Sequence, residues 1–217
     1  MGVTTSRLEA VIDAWRLEGS PEQEAFPWAR SKHTWQTLAD DFGVNIDDLP
    51  DLIDRQFLWS LSSTDVAVEK IFLAVMIWGY GDIGYGPYRV RQMFESPNFI
   101  EGLSAARELC TNRQILEAYA CLKKSKIRQL GPSFGTKALA FFHDRNESPA
   151  ILDSVVAMWC NKHAVDYLGE AALNAEVWNL KTYTRYMSWI SDMSISHGLS
   201  ASSIEQLIFA DQYATAN

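Results

Sequence analysis

The densest run of residues able to do chemistry lies at 123–142: Lys-Lys-Ser-Lys-Ile-Arg-Gln-Leu-Gly-Pro-Ser-Phe-Gly-Thr-Lys-Ala-Leu-Ala-Phe-Phe. The spacing predicts a helix ending near Gln129, a short turn, and a second helix opening at about Gly135. Glycines at both ends of the turn permit positive φ and keep side chains off its concave side. The first free amides of a helix point outward and attract an anion. Lys123, Lys124, Lys126 and Arg128 stand just upstream. Such a turn can clamp a phosphate backbone, with contacts that position without reading sequence. An ordinary αα-hairpin with a solvated basic face has the same pattern.

Other chemistries find less support. Gly79, Gly81 and Gly84 match the spacing of a dinucleotide-binding loop, but that mechanism needs a strand before the glycines and a helix after them. Here a helix of a dozen or more residues precedes them and Gly86-Pro87 follows. The loop's aromatic neighbours, Trp78, Tyr80, Tyr85 and Tyr88, could stack on a ligand. His33, His143, His163 and His197 lack metal-ligand spacing. His143-Asp144 reads as a helix end. Cys110, Cys121 and Cys160 form no CxxC pair, so a disulfide scaffold, a four-cysteine zinc site and a four-cysteine iron–sulfur cluster are excluded. No metal and no cofactor is expected.

The elements that must position these residues are helical. Leu8, Val11, Ile12 and Trp15 share one helix face, as do Trp35, Leu38, Ala39 and Phe42. Gly19-Ser20-Pro21 and Gly43 end these two segments. Leu49, Ile53, Phe57 and Leu58 mark a third. Ser63-Thr64-Asp65 is a capping cluster before a helix at 66–78, apolar on most sides and therefore central. Helices are expected at 88–95, 98–109, 113–128, 135–143, 149–161, 177–193 and 200–213. No alternation is long enough for a strand. The reading is all-α, with about ten helices and short connections.

The 217 residues suit one unit over 1–217, divided into a central helical lobe at 62–145 that ends in the hairpin and a second lobe from 1–61 plus 146–217. Net charge is −8, yet its distribution is uneven. Residues 81–140 hold 9 basic and 5 acidic side chains, against 6 and 13 before them and 4 and 9 after. The basic middle is a local footprint for an anionic ligand that the global charge hides. The longest apolar stretch, 71–78, is far below the roughly 18 residues that span a bilayer. Met1-Gly2 opens a loose myristoylation pattern and Asn146-Glu147-Ser148 a glycosylation sequon. No membrane contact is expected, and a reducing compartment is: the cytoplasm (bacterial nucleoid), or the nucleus in a eukaryote.

The hairpin resembles that of the helix–hairpin–helix DNA glycosylases, in particular the 8-oxoguanine glycosylase branch. The family hairpin runs Leu-Pro-Gly-Val-Gly-Thr-Lys; here Gly135-Thr136-Lys137 supplies its end, and Asp153 follows sixteen residues later in an apolar context. Residues 206–211 are similar to the family's closing helix, whose phenylalanine, here Phe209, stacks on an extruded base. The resemblance is good over 114–160 and weaker over 200–212. The turn is one residue longer, with Gly-Pro where Pro-Gly is usual, and Phe141 stands where a small pocket residue is common.

The resemblance implies an all-α glycosylase fold with its active site between two helical lobes, Lys137 as nucleophile and Asp153 as its carboxylate. Lys124, Lys126, Arg128, Gly131, Ser133, Gly135 and Thr136 would hold the DNA backbone. Phe134, Phe141, Trp78, Tyr85 and Phe209 would line the base pocket. The partner would be duplex DNA containing a modified base, bound by a monomer, with an oxidised purine such as 8-oxoguanine as the first expectation. Phe141 makes a bulkier modified base in foreign DNA the alternative. A non-catalytic helix–hairpin–helix DNA-binding module, or a purely structural hairpin, is the rival. The chemistry itself is sound: a carboxylate stabilises an oxocarbenium-like state, and a lysine amine can attack C1′ once neutral. A helix N-terminus and apolar neighbours would both disfavour the ammonium.

Overall fold

The computed structural model describes residues 6–21, 23–81, 84–142, 148–169 and 172–216. The amino-terminal myristoylation pattern, His143, Asp144 and the sequon residues Asn146 and Glu147 lie outside them. Twelve helices are present among the described residues: α1 (Ser6–Leu17), α2 (Lys32–Asp41), α3 (Arg55–Ser62), α4 (Val68–Tyr80), α5 (Gly86–Phe94), α6 (Phe99–Thr111), α7 (Ile115–Ser125), α8 (Pro132–Phe141), α9 (Ser154–His163), α10 (Val165–Leu168), α11 (Leu180–His197) and α12 (Ala201–Ala216). The fold is all-α. The one departure among the described residues is a two-residue antiparallel ladder of β1 (Phe26–Pro27) and β2 (Leu52–Ile53), pairing Phe26 with Ile53 and Pro27 with Leu52. Two residues per strand leave no alternation to detect, so this element was invisible to periodicity.

α4 is the axis. Ten of its thirteen residues are buried, as an apolar surface on all sides demands. α3, α5, α6 and α8 pack around it, while α12 collects α1, α9 and α11. α3 and α7 reach across to α8, and α11 to α7. The Ser63-Thr64-Asp65 cluster ends α3 instead of capping α4. Ser63 is the α3 C-cap, Thr64 Oγ1 donates to the Leu61 carbonyl at 2.7 Å, and α4 starts after Ala67 with no side-chain cap.

Three expected boundaries shift at the hairpin and its sequel. α7 stops at Ser125, where Lys126 turns left-handed at φ 50°. Gln129 follows at φ 63°, so the positive φ falls on these two residues, neither of them a glycine. α8 opens at Pro132, three residues early, because proline is pre-organised for a first helical position. The expected helix at 149–161 starts only at Ser154. Before it, Ala150, Ile151 and Leu152 run non-helically through the core.

The two turn glycines therefore differ. A Cβ on Gly131 would meet nothing within 4 Å, whereas one on Gly135 would stand 2.3 Å from the Trp178 ring. That ring is held by an Nε1 hydrogen bond to the Leu130 carbonyl at 3.2 Å and an edge-on contact with Tyr119. Gly135 admits Trp178, not a phosphate. Gly135→Ala is expected to destabilise the protein by about 1–3 kcal/mol, the usual cost of overpacking, while Gly131→Ala leaves it within about 0.5 kcal/mol. Urea denaturation of both variants checks this, and equal losses would contradict it.

Candidate active site

A cavity of about 520 Å³ opens where β1, the start of α3, the end of α4, α8, the 151–153 segment and α12 converge. Lys137 enters it from the second turn of α8, not from the helix N-terminus, so the expected dipole contribution fades there. Its stem lies across α4 at Gly79, where a Cβ would come within 3.2 Å of Lys137 Cδ and 3.1 Å of Phe134. A Cβ at 79 would require Phe134 and the lysine stem to give by a few tenths of an ångström.

Lys137 Nζ donates to Asp153 Oδ2 at 2.6 Å, and both side chains are about nine-tenths buried. Asp153 also caps α9, since Oδ1 accepts from the Val156 amide at 3.0 Å. One carboxylate thus serves a helix and a lysine through different oxygens. Burial pushes the Asp153 carboxyl up. The Lys137 charge and hydrogen bond, the Val156 amide and the Arg55 charge outweigh it and hold the group below its ordinary value.

Thr136 fixes the distance between the two. It is fully buried, accepts from the Leu152 amide at 3.1 Å, and has its one hydroxyl hydrogen within reach of both the Leu152 and Ser133 carbonyls at 3.3 and 3.2 Å. The Tyr186 hydroxyl holds the neighbouring Ile151 carbonyl at 2.7 Å. The segment carrying Asp153 is therefore tied to the helix carrying Lys137. Thr136, expected at the DNA backbone, lies inside the protein and cannot touch it.

The remaining expected residues divide. Lys124, Lys126 and Arg128 are exposed; Arg128 leans on Glu95 through that residue's carbonyl at 3.0 Å and carboxylate at 3.6 Å. Gly131 faces open space. The Ser133 amide is already committed to the Ala175 carbonyl at 3.3 Å. Trp78 and Phe209 line the cavity, Phe209 stacked with Tyr213 at 5.9 Å. Phe134 lies behind Tyr80, stacked on it at 4.2 Å. Tyr85 is more than half exposed and meets Tyr80 edge-on, outside the cavity lining.

Phe141 is fully buried between Trp59 and Trp78, with ring centroids at 5.6 and 5.2 Å. It supports the Trp78 wall from behind, so its size does not narrow the cavity.

A family model described as "Putative 8-oxoguanine DNA glycosylase OGG-like protein" matches residues 19–209. The chain belongs to this OGG-like family. No curated protein and no solved structure matches it. The match starts just after α1 and ends at Phe209 within α12, and so contains every residue that lines the cavity except Tyr213.

Among the cavity residues that sequence reading missed are two charged ones, Arg55 and Glu205. Arg55 Nη1 donates to Glu205 Oε2 at 2.6 Å and Nη2 to Oε1 at 3.1 Å. Arg55 Nε donates to Gln23 Oε1 at 3.0 Å, and its guanidinium lies 5.3 Å from the Trp78 ring centre. Burial pushes the Glu205 carboxyl up, and the Arg55 pairing only partly offsets it. The two residues are 150 positions apart, and neither sits in a motif. A glutamate close to the apolar Ile204, Leu207 and Ile208 of α12 was the available signal.

No helix among the described residues is long and apolar enough to cross a membrane. None of their histidines, cysteines and carboxylates forms a metal-binding group.

The low native pKa of Asp153 has a definite pH consequence. Its stabilisation is complete above the unfolded carboxyl value of about 3.9 and is lost as pH falls through the lower native value. Asp153→Asn should cost on the order of 3 kcal/mol at pH 7, as when one partner of a buried pair is removed. The gap from wild type should narrow as pH falls from neutral to below about 4. Denaturant titrations across that range check it, and a pH-independent gap would contradict it.

Proposed function

We propose that this protein is a DNA glycosylase with associated abasic-site lyase activity, acting on a modified base turned out of duplex DNA into the cavity. The observation that carries the reading is the 2.6 Å Lys137–Asp153 pair at the wall of a cavity large enough for a base. An amine and a carboxylate held together and largely dry are the two groups that N-glycosidic cleavage by a lysine requires. Family membership supports the same reaction class and makes an oxidised purine the first substrate to try.

In this mechanism Asp153 stabilises the positive charge that grows on the sugar as the bond from C1′ to the base lengthens. The ammonium of Lys137 gives up a proton to the departing base, which leaves with the bonding electron pair. The neutral amine then forms the Nζ–C1′ bond, and opening of the sugar ring yields a Schiff base. Loss of the 2′ proton and of the 3′ phosphate breaks the strand, and water releases the lysine. Extrusion of the base costs unpairing and unstacking, recovered in part against Trp78 and Phe209.

The backbone would be held by Lys123, Lys124, Lys126, Arg128 and Gly131 at the end of α7 and the turn after it. A protein with net charge −8 depends on this small patch for its attraction to phosphate.

Two experiments test these assignments. Lys137→Ala should abolish borohydride trapping on duplexes with an abasic site, while Lys137→Gln retains DNA binding; Asp153→Asn should slow base excision on the order of 10²–10³. Equal trapping by Lys137→Ala would remove the assignment. Separately, log Kd against log salt should have a shallow slope of roughly 2–4, at about 0.9 per neutralised phosphate. Changing Lys123 and Lys124 to Ala should lower that slope by about 1–2 without changing which base is removed. An unchanged slope would place the DNA surface elsewhere.

A further inference from the structure

Two of the four charged side chains at the cavity, Arg55 and Glu205, have no part in the bond-breaking steps above. A buried charged pair is weak evidence for stability, because apolar residues of similar volume often do as well. Its place at a ligand-sized cavity calls for another explanation.

The hydrogen-bond inventory supplies one. Each side-chain carboxylate and amide oxygen at the cavity already accepts one hydrogen bond from the protein. Both Glu205 oxygens accept from Arg55. Asp153 accepts from Lys137 and Val156. Gln23 Oε1 accepts from Arg55 Nε; a guanidinium only donates, so the Gln23 amide is fixed oxygen-inward and its NH₂ turns elsewhere. The donors are not exhausted. Arg55 has five N–H groups, and four are used, by Glu205, Gln23 and Ser202 Oγ at 3.1 Å. One Nη2–H remains. Trp78 Nε1, which only donates, and the Tyr80 hydroxyl, which can donate or accept, belong to cavity-lining residues, are buried and have no partner among the described residues.

We propose that Arg55, oriented by Glu205, is the specificity-determining residue of the cavity, selecting an extruded base whose edge presents a carbonyl acceptor over one that presents an exocyclic amine. The inference rests on the glycosylase reading. An amine set against the remaining Arg55 hydrogen would put donor against donor and leave that group unpaired, which is how a polar site rejects a near-isostere. A carbonyl would accept the remaining Arg55 hydrogen. Glu205 is the positioning residue: its bidentate grip holds the guanidinium plane beside Trp78, as a single-point contact would not.

The test uses single-turnover excision from duplexes carrying one 8-oxohypoxanthine or one 8-oxoadenine, which present a carbonyl or an amine at position 6. Borohydride trapping on abasic-site DNA, which has no base to read, runs alongside. The wild type should prefer the carbonyl base by at least about tenfold. Glu205→Gln should narrow the preference to within about threefold. Because that variant leaves Arg55 buried without its partner, the double variant Arg55→Met/Glu205→Leu is measured too. It removes both charges at similar volume, and should lose the preference while excision of the carbonyl base falls much further than abasic trapping. A purely structural role would lower both bases equally, so a double variant that keeps the wild-type ratio overturns the inference alone. A wild type that removes neither base overturns it as well, and if abasic trapping also fails, the glycosylase–lyase reading falls with it.

Discussion

The Lys137–Asp153 ion pair is the constraint around which the site is organised. Two charges taken out of water are tolerated only when their remaining hydrogen-bond capacity is met. Asp153 meets it by capping α9 and gripping Lys137 at once. The demand propagates outward. Thr136 must clasp Leu152, Tyr186 must hold Ile151, and the core must accept a non-helical segment before α9. Gly79 leaves the room in which the lysine crosses α4. These are positional requirements on five elements for the sake of one 2.6 Å contact.

The second pair, Arg55–Glu205, joins the other side of the cavity. β2 leads directly into α3, whose Asp54 cap accepts from the Phe57 amide at 2.6 Å, so Arg55 is the first residue of a well-anchored helix. Glu205 comes from α12, which also supplies Phe209 and Tyr213. The two-residue ladder, slight as it is, brings Phe26 edge-on to Trp78 and closes that side. The four charges bear on one another: Arg55 helps to depress Asp153, and Lys137 works against the rise of Glu205. Substitutions within this group should not be additive.

Much of the architecture was legible in the sequence because it is helical and amphipathic. α4 could be recognised as central from its unbroken apolar character, and Gly43 and Gly19 mark helix ends as their positive φ requires. What was not legible has physical reasons. Pro132 extends α8 backwards, which a glycine-centred view of the turn overlooked. Gly135 and Thr136 looked surface-bound because their tertiary partners, Trp178 and Leu152, are distant in sequence. Phe141 could be placed one turn beyond Lys137, but helix periodicity alone could not say whether Trp78 would stand between it and the cavity. Lys137 and Asp153 stood out through a motif. Arg55 and Glu205 had none, and only folding brings residues 150 positions apart into contact.

The central claim is that the buried amine of Lys137 is the group that bonds to the sugar. Its most direct test is to reduce the complex with abasic-site DNA, digest it with protease and nuclease, and locate the residual sugar adduct by mass spectrometry. The account predicts a single modified site at Lys137, diminished in Asp153→Asn. An adduct on Lys123, Lys124, Lys126 or the amino terminus, with Lys137 unmodified, would contradict it.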